Sequence, residues 1–281
     1  MVRIPDSRLD YFVAEDVPYV DLTTTVLGIA DVHGEMEYYT REACVLAGVE
    51  EAARIAEKLG CDAEPLRRSG DHIGANDVIM RVRGRAADLH QVWKVGLNLL
   101  DHLSAVATKT RQMVKTVHSA NPGCEVLTTR KSMPGCKDLL IEATMAGGAY
   151  PHRLGLSETV LVFENHWEFM GGFDAFIEKL PRIRRHCIEK KLFVEATPEQ
   201  ALILAEAGVD GLQIDKATPF QLESLVPAVR DIDPHITVIA AGGINPGNAF
   251  EYATTGVDGI VTTALFTAAP LDMSVRMYSL D

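Results

Sequence analysis

The sequence lacks the long apolar runs and the excess of basic charge that mark several classes of protein. No window of about 18 residues is apolar and free of charge, which argues against a membrane-spanning helix. The N-terminal segment contains no apolar stretch of the roughly 7–15 residues found in a signal peptide. The formal net charge of the 281 residues is -12, which argues against a nucleic-acid surface. We therefore expect neither a membrane nor a nucleic acid as a partner.

Motifs for structural metals and for serine nucleophiles are also missing. The five cysteines are odd in number and form no CxxC pair, so neither a zinc site nor a disulfide framework is indicated, and a cytoplasmic location fits. The nine histidines show no HxH or HExxH spacing, and no serine stands in a GxSxG turn. What is present is the composition of an ordinary globular protein, long enough for one large or two unequal domains.

The second part of the chain alternates short β-rich runs with amphipathic stretches. The predicted strands are 125–129, 159–163, 192–196, 211–215, 236–241 and 259–263, and the predicted helices between the later ones are 198–207, 218–230 and 246–255. Apolar strands that alternate with helices imply a parallel sheet covered by helices. Six strands favour an open (β/α) barrel, and an open doubly wound sheet is the alternative.

The first part of the chain has a different, α+β pattern. It contains a predicted short helix at 6–15, strand candidates at 35–39, 44–47 and 78–83, and a long helical pattern over about 87–119. Asn121-Pro122-Gly123 then separates this part from the first strand of the barrel.

Charged residues collect where the predicted barrel strands end, and that edge carries the chemistry of such barrels. Arg130 and Lys131 follow the first strand, and Glu164-Asn165-His166 follow the second. Together with His152 and Arg153, the first two form a basic cluster in an acidic chain, which indicates a pocket for a small anion; the alternative is a solvated surface turn.

Two carboxylates and a glycine turn complete the predicted edge. Glu195 and Asp215 lie on otherwise apolar strands, where a charge needs a ligand or a structural ion pair. Gly242-Gly243, three residues before Pro246, indicates backbone N–H groups at a helix start that bind phosphate, with the segment up to Thr263 and Ala264 as the second half. An ordinary tight turn is the alternative.

These residues, in this order, resemble the quinolinate phosphoribosyltransferase family (nicotinate-nucleotide pyrophosphorylase, carboxylating), over nearly the whole chain. The matching segments are Ala14-Glu15-Asp16, Asp21-Leu22-Thr23-Thr24, Val45–Gly48, Gly96–Leu100, Leu103-Ser104, Ala107-Thr108, Thr129-Arg130-Lys131, Pro134-Gly135, His152–Leu156, Asn165-His166, Glu195, Asp215, Gly242-Gly243-Ile244 and Gly256-Val257-Asp258.

Four positions depart from the pattern of that family. Phe163 stands where the family has lysine, Lys94 where it has arginine, Thr263 where it has glycine, and Ile214-Asp215-Lys216 where it has Leu-Asp-Asn. This variant pattern resembles the ModD-type pyrophosphorylases found with molybdenum transport genes.

The resemblance implies a type II phosphoribosyltransferase architecture of class α/β. An N-terminal α/β sandwich domain is expected over residues 1–108, with a tail at 267–281 that returns to it, and an open (β/α) barrel over 109–266. A homodimer or hexamer is expected, in which the N-terminal domain of the partner covers each barrel mouth. The expected reaction is phosphoribosyl transfer from phosphoribosyl pyrophosphate to a nitrogen heterocycle related to quinolinate, with release of pyrophosphate and a requirement for Mg²⁺.

The resemblance also suggests roles for individual residues. It implies catalytic roles for Lys131, Glu195 and Asp215, and the two acids are also expected to hold Mg²⁺ through the substrate. The residues expected to bind the substrate are Lys94, Arg130, His152, Arg153 and Phe163. Those expected to bind the 5'-phosphate are Gly242, Gly243, Thr263 and Ala264. Three other functions stay open at this point: a quinolinate phosphoribosyltransferase of NAD biosynthesis, a noncatalytic nucleotide-binding regulatory subunit, and a Schiff-base aldolase.

Overall fold

The computed structural model describes residues 2–280. Its helices are α1 (Asp6–Asp16), α2 (Leu22–Leu27), α3 (Val49–Lys58), α4 (Ala86–Ala120), α5 (Lys137–Gly147), α6 (Glu164–Glu168), α7 (Phe173–Arg184), α8 (Pro198–Glu206), α9 (Pro219–Ile232) and α10 (Ala249–Thr254). Its strands are β1 (His33–Thr40), β2 (Cys44–Val45), β3 (Asp62–Pro65), β4 (His72–Ile73), β5 (Val78–Arg85), β6 (Glu125–Thr128), β7 (Tyr150–Pro151), β8 (Val160–Val162), β9 (Leu192–Ala196), β10 (Gly211–Asp215), β11 (Thr237–Ala241), β12 (Gly259–Thr262) and β13 (Met273–Ser279).

The chain forms two compact units. The first takes the residues up to 111, residues 132–148 and those from 266 onward, and the second takes residues 112–131 and 149–265. Residues 132–148 join the first unit because α5 places Leu139 and Ala143 in an apolar cluster with Leu9 of α1 and Ile55 of α3. The expected division at 108 and 109 did not foresee this excursion. Its cause is packing between distant segments, which the local pattern of α5 does not encode.

A four-stranded antiparallel sheet forms the centre of the first unit, in the order β13-β1-β5-β3. Alternate residues of β1, among them Met36 and Tyr38, are buried against α3 and α4. The helix α4 approaches closely at Gly96, where a Cβ atom would lie 2.6 Å from the hydroxyl oxygen of Tyr38. That hydroxyl donates to the carbonyl oxygen of Val92 at 3.0 Å. The glycine therefore permits the contact between helix and sheet.

The second unit contains a seven-stranded parallel sheet in the order β7-β6-β12-β11-β10-β9-β8. Side chains alternate between two faces: Leu161 joins an inner cluster with Phe193 and Ile239, whereas Val162 and Val194 join the outer core against the helices. Among the described residues, the inner cluster consists of strand residues and of Phe163, which directly follows β8, so the sheet curls around its own inner face. The open barrel is therefore confirmed, and the doubly wound alternative is wrong.

The six strands predicted in this unit are all present, with bounds that differ by one residue or less. The helix α7 was not predicted, because Gly171-Gly172 precede it and Pro181 lies inside it, and both signals are typical of helix breaks.

Within residues 2–280, no helix combines enough length and apolar character to cross a membrane.

Three carboxylates meet inside the first unit. Oxygen atoms of Glu50 and Glu51 on α3 and of Glu142 on α5 lie within 4.8 Å of one another. Glu51 is 2% exposed, and within the described part of the chain its Oε2 has no hydrogen-bond partner. Burial, reinforced by the charge of Glu142, raises the pKa of Glu51 to about 7. Burial also raises the pKa of Glu142. The folded protein therefore binds protons here more tightly than the unfolded chain does.

We expect Glu51→Gln to stabilise the protein at pH 8. A carboxyl group whose pKa rises on folding, here from 4.5 to about 7, favours the fold below pH 4.5 and loses that contribution as the pH rises through 7. Removing the ionised form should raise the free energy of unfolding by on the order of 3 kcal/mol at pH 8, and by progressively less toward pH 4.5. Urea denaturation across this range measures the effect. The exposed Glu57→Gln on the same helix is the control, and a constant gain at every pH would contradict the expectation.

Candidate active site

A cavity of about 840 Å³ opens at the carboxyl ends of the parallel strands of the second unit. Eleven of the predicted site residues line it: Arg130, Lys131, His152, Arg153, Phe163, Glu195, Asp215, Gly242, Gly243, Thr263 and Ala264. The sheet brings them together because all parallel strands end at the same edge. Lys94 is not among the lining residues that the structure describes. It lies on α4 in the first unit, with its Nζ 5.1 Å from the ring centroid of Trp93.

Four basic residues of the cavity, Arg130, Lys131, His152 and Arg153, lie on two neighbouring loops. The turn after β6 is held by Thr129, whose Oγ1 accepts the backbone N–H of Lys131 at 3.0 Å. The N–H of His152 donates to the carbonyl oxygen of Thr128 at 3.0 Å, which fixes the adjacent loop. Burial, followed by the charge of Arg130, lowers the pKa of Arg153. The two guanidinium groups therefore lie close enough to repel each other, and an anion bound beside both would relieve that repulsion.

His152 lies on the same side of the cavity and is half-buried. Burial, with a smaller contribution from Arg153, lowers the pKa of its imidazole. Its ring meets the edge of Phe193, with 6.0 Å between the centroids. The neutral form is therefore favoured at pH 7, and this residue can donate or accept a hydrogen bond without adding a charge.

The acidic residues lie on β9 and β10. Glu195 and Gln213 stand at the same register of the two strands, and the amide Nε2 of Gln213 donates to Oε2 of Glu195 at 2.5 Å. Burial raises the pKa of Glu195, and the charge of nearby Asp215 raises it further, whereas the bond from Gln213 lowers it. Gln213 was missed by the sequence analysis. Its signal was a polar residue on an apolar strand, two positions before Asp215 and therefore on the same face.

Phe163 directly follows β8, and its aromatic ring lines the cavity. The ring stacks on His166, with 5.7 Å between the centroids and 27° between the planes, and the guanidinium carbon of Arg153 lies 5.8 Å from its centroid. The backbone N–H of Phe163 donates to Nδ1 of His166 at 2.9 Å. Glu164, Asn165 and His166 are exposed residues of α6 and do not line the cavity. The sequence placed them among the strand-end candidates, but His166 instead orients Phe163.

The glycine loop after β11 lies at the cavity, but it does not lead directly into a helix. Gly242 and Gly243 have φ angles of 91° and 73°, which suit glycine. The helix α10 begins at Ala249 and not at Pro246, because an Asn245–Asn248 turn intervenes, with the N–H of Asn245 donating to the side chain of Asn248. The predicted helix start is therefore wrong, and a phosphate here would depend on the loop itself.

The second part of this loop system follows β12. The hydroxyl groups of Thr129 and Thr263 lie 2.9 Å apart, which ties the ends of β6 and β12 together. Thr262 Oγ1 donates to the carbonyl oxygen of Ile244 at 2.7 Å and accepts the N–H of Ala264 at 3.0 Å. These bonds fix the backbone of both loops relative to each other.

Comparison with known proteins identifies the family. The family models described as quinolinate phosphoribosyl transferase, N-terminal domain and C-terminal domain, match residues 21–104 and 106–276. The chain belongs to the quinolinate phosphoribosyltransferase family. It is 39% identical over 250 residues to pyrophosphorylase ModD of Rhodobacter capsulatus, covering 89% of this chain and 96% of that protein. It is 30% identical over 271 residues to a nicotinate-nucleotide pyrophosphorylase (carboxylating) of Methanothermobacter thermautotrophicus, covering 94% and 96%.

A solved structure shows the same fold. NadC from Streptococcus pyogenes superposes with a TM-score of 0.88 at 24% identity, covering 98% of each chain. The type II phosphoribosyltransferase architecture inferred from the sequence is thereby confirmed.

Membership in the quinolinate phosphoribosyltransferase family makes the chain a pentosyltransferase, as the resemblance implied. The aldolase alternative fails on geometry. A Schiff-base lysine needs a desolvated site, whereas Lys131 is exposed and lies beyond the end of β6.

We expect Arg130→Ala and Arg153→Ala each to weaken the binding of anions without loss of the fold. Losing a charge-assisted hydrogen bond costs about 1.5–3 kcal/mol of binding, which corresponds to roughly 10- to 150-fold in the dissociation constant. Isothermal titration calorimetry with nicotinate and with inorganic pyrophosphate measures the loss, and thermal melting reports on the fold. Arg182→Ala, an exposed arginine of α7, is the matched control. Binding as tight as in the parent would remove that arginine from the pocket.

Proposed function

We propose that this protein transfers the phosphoribosyl group of phosphoribosyl pyrophosphate to a ring nitrogen of a heterocycle related to quinolinate. The C1–O bond to pyrophosphate breaks, pyrophosphate leaves with the electron pair, and the nitrogen lone pair forms the new bond to C1. The main support is that one cavity holds a basic side, two carboxylates and a glycine loop at the ends of parallel strands. The names of the ModD and nicotinate-nucleotide pyrophosphorylase relatives agree with this chemistry.

The carboxylates suit the charge that develops during this reaction. Breaking the C1–O bond leaves positive charge on the ribose ring, and preorganised carboxylates offset such charge most effectively where water is restricted. Glu195 is half-buried and held by Gln213, so its oxygen atoms need little reorganisation as the charge develops. A ring nitrogen with a free lone pair needs no general base. Lys131 and Arg130 would hold anionic groups of the acceptor or of pyrophosphate.

The loops after β11 and β12 would hold the 5'-phosphate of the donor. Gly242 and Gly243 expose backbone on one side, and Thr263 and Ala264 lie on the other. Because hydrogen bonds through Thr262 fix both loops, the backbone groups are ordered before the phosphate arrives. Preorganised donors lose less entropy when they bind.

A magnesium ion fits the same place. Glu195 and Asp215 are hard oxygen ligands, and Mg²⁺ is usually held by one or two carboxylates together with substrate phosphates. The hydrogen bond from Gln213 occupies one oxygen of Glu195 and leaves the carboxylate facing the cavity. When bound, the ion would neutralise charge on the diphosphate.

We further propose an assembly of at least two chains in the cytoplasm. Residues 19–27 expose several large apolar side chains, including Tyr19 at 96% and Val26 at 75%, and a second copy of the chain would cover them. The partner would bring its Lys94 to the basic side of each cavity. The free thiols of the five cysteines suit a reducing compartment. Light scattering after size-exclusion chromatography measures the assembly, and a monomer at micromolar concentration would contradict it.

Release of pyrophosphate tests the proposed reaction. The parent should release it from phosphoribosyl pyrophosphate only when a suitable heterocycle is present, with Mg²⁺ in excess. Glu195→Gln and Asp215→Asn should lower kcat much more than they change KM, because they remove interactions that strengthen in the transition state. Steady-state assays against a panel of pyridine carboxylates measure both. A parent that binds the donor but releases no pyrophosphate with any acceptor would instead be a nucleotide-binding subunit.

Phe163 indicates the charge of the acceptor. An aromatic wall accepts a neutral or weakly acidic ring, but it leaves the second carboxylate of quinolinate without a close cation. An unpaired carboxylate in a restricted site costs several kcal/mol. We therefore propose that the natural acceptor carries less negative charge than quinolinate.

We expect Phe163→Lys to raise kcat/KM for quinolinate relative to monocarboxylate acceptors such as nicotinate. The added ammonium would pair with the second carboxylate beside Arg153. Phe163→Leu is the control, because it removes the ring without adding a charge. If the parent already uses quinolinate as efficiently as a carboxylating nicotinate-nucleotide pyrophosphorylase does, the protein is an enzyme of NAD biosynthesis with a reshaped pocket.

A further inference from the structure

Lys216 is a charged residue of the cavity to which the proposed reaction gives no role so far. It directly follows Asp215, which ends β10. Its φ angle is 57°, in the left-handed region that side chains other than glycine and asparagine adopt at a cost. Within residues 2–280, Asn76 is the other residue besides glycines with a positive φ. Strained backbone of this kind persists where the surrounding structure holds it, and it is common at functional sites.

A hydrogen bond holds Lys216 in this conformation, and a glycine leaves room for it. Its backbone N–H donates to the carbonyl oxygen of Ala241 at 2.8 Å. Gly242 follows, and a Cβ atom there would lie 2.7 Å from Cγ of Lys216 and 2.8 Å from Oδ1 of Asp215. Any larger residue at 242 would therefore displace both charged side chains. The conformation of the glycine loop and the positions of Asp215 and Lys216 therefore depend on each other.

The side chain of Lys216 forms an ion pair that is easy to break. Its Nζ lies 2.9 Å from Oδ2 of Asp215, and this hydrogen bond together with the charge of Asp215 raises the pKa of Lys216. The lysine side chain is 81% exposed and that of Asp215 is 32% exposed. Exposed ion pairs contribute little to stability, because water competes for both charges. A ligand of higher negative charge can therefore take the ammonium group from the carboxylate.

The surroundings of Lys216 indicate what that ligand is. Lys131 and Lys216 line the same cavity as Glu195 and Asp215, so an ammonium group lies near the carboxylates at each of two strand ends, those of β6 and β10. A diphosphate carries more charge than a single carboxylate, and in the proposed reaction it leaves from the ribose carbon that these carboxylates face. A lysine acts on phosphates as a point charge on a long, flexible stem, which suits a group that must be bound and then released.

We propose that Lys216 binds the diphosphate of the phosphoribosyl donor, an inference that rests on the proposed function. Before the donor binds, its ammonium group pairs with Asp215. When the donor binds, Nζ moves to the diphosphate oxygens, and the carboxylate of Asp215 becomes free for the roles proposed above, toward the magnesium ion and toward the positive charge that develops on the ribose ring. The exchange couples the arrival of the leaving group to the exposure of the carboxylate that the transition state needs.

Binding of three phosphate compounds tests this assignment. Lys216→Asn is the principal variant, because asparagine tolerates the left-handed backbone; Lys216→Arg retains the charge, and the exposed Lys190→Ala is the control. Titration calorimetry with Mg²⁺ in excess compares phosphoribosyl pyrophosphate, inorganic pyrophosphate and ribose 5-phosphate. Lys216→Asn should weaken the first two by about 10- to 100-fold and ribose 5-phosphate by less than about threefold. Lys216→Arg should recover most of the affinity.

The outcomes separate this inference from the proposed function. If the parent binds phosphoribosyl pyrophosphate and Lys216→Asn binds it as tightly, the role of Lys216 is overturned while the proposed function stands. If the variant weakens all three compounds equally, Lys216 acts on the 5'-phosphate loop and the diphosphate assignment is wrong. If the parent binds neither phosphoribosyl pyrophosphate nor pyrophosphate, both proposals fail. Thermal melting of each variant excludes loss of the fold, and Lys216→Gly replaces Lys216→Asn if the latter melts early.

Discussion

The cost of holding two carboxylates at the end of an apolar parallel sheet governs the arrangement of this site. Glu195 and Asp215 lie on adjacent strands, and the charge of Asp215 makes the ionised form of Glu195 less favourable. The protein lowers this cost with one polar partner for each carboxylate: the amide of Gln213 for Glu195 and the ammonium group of Lys216 for Asp215. Gln213 carries no charge, and the ion pair between Lys216 and Asp215 is not buried. Both acids therefore keep a surface toward the cavity, where a cationic transition state can use it.

On the basic side of the same cavity, positive charges repel one another. The charges of Arg130 and Arg153 repel each other, so this side favours an anion over water. Burial lowers the pKa of His152, which therefore contributes a hydrogen-bonding group and not a further charge. Phe163 limits how much negative charge it accepts, because an aromatic ring occupies the place from which a further cation would act. An acidic chain can thus bind anions locally, since short distances and restricted water outweigh the screened field of distant surface charges.

Much of the second unit could be predicted from residue patterns. Parallel strands are buried on both faces, so they appear as short apolar runs, and charged residues at their ends stand out against that background. The residue pattern therefore predicts that Lys131, Glu195 and Asp215 lie at one edge of the sheet. The strands β3 and β13 of the first unit could not be predicted in this way, because they have few buried residues and little apolar periodicity. The helix α5 was not predicted as part of the first unit, because it joins that unit through contacts between residues far apart in the chain.

The sequence by itself determined the family, the barrel strands and the types of residue at their ends, because these depend on local order and on spacing along the chain. Only the tertiary structure decided the pairings that give those residues their properties. The hydrogen bond from Gln213 to Glu195 depends on the register of two strands. The position of Lys216 against Gly242 depends on how closely two strand ends approach each other. The structure also placed His166 behind Phe163 and moved the start of α10 beyond the glycine loop. Such contacts follow from distances between segments remote in sequence, which periodicity does not encode.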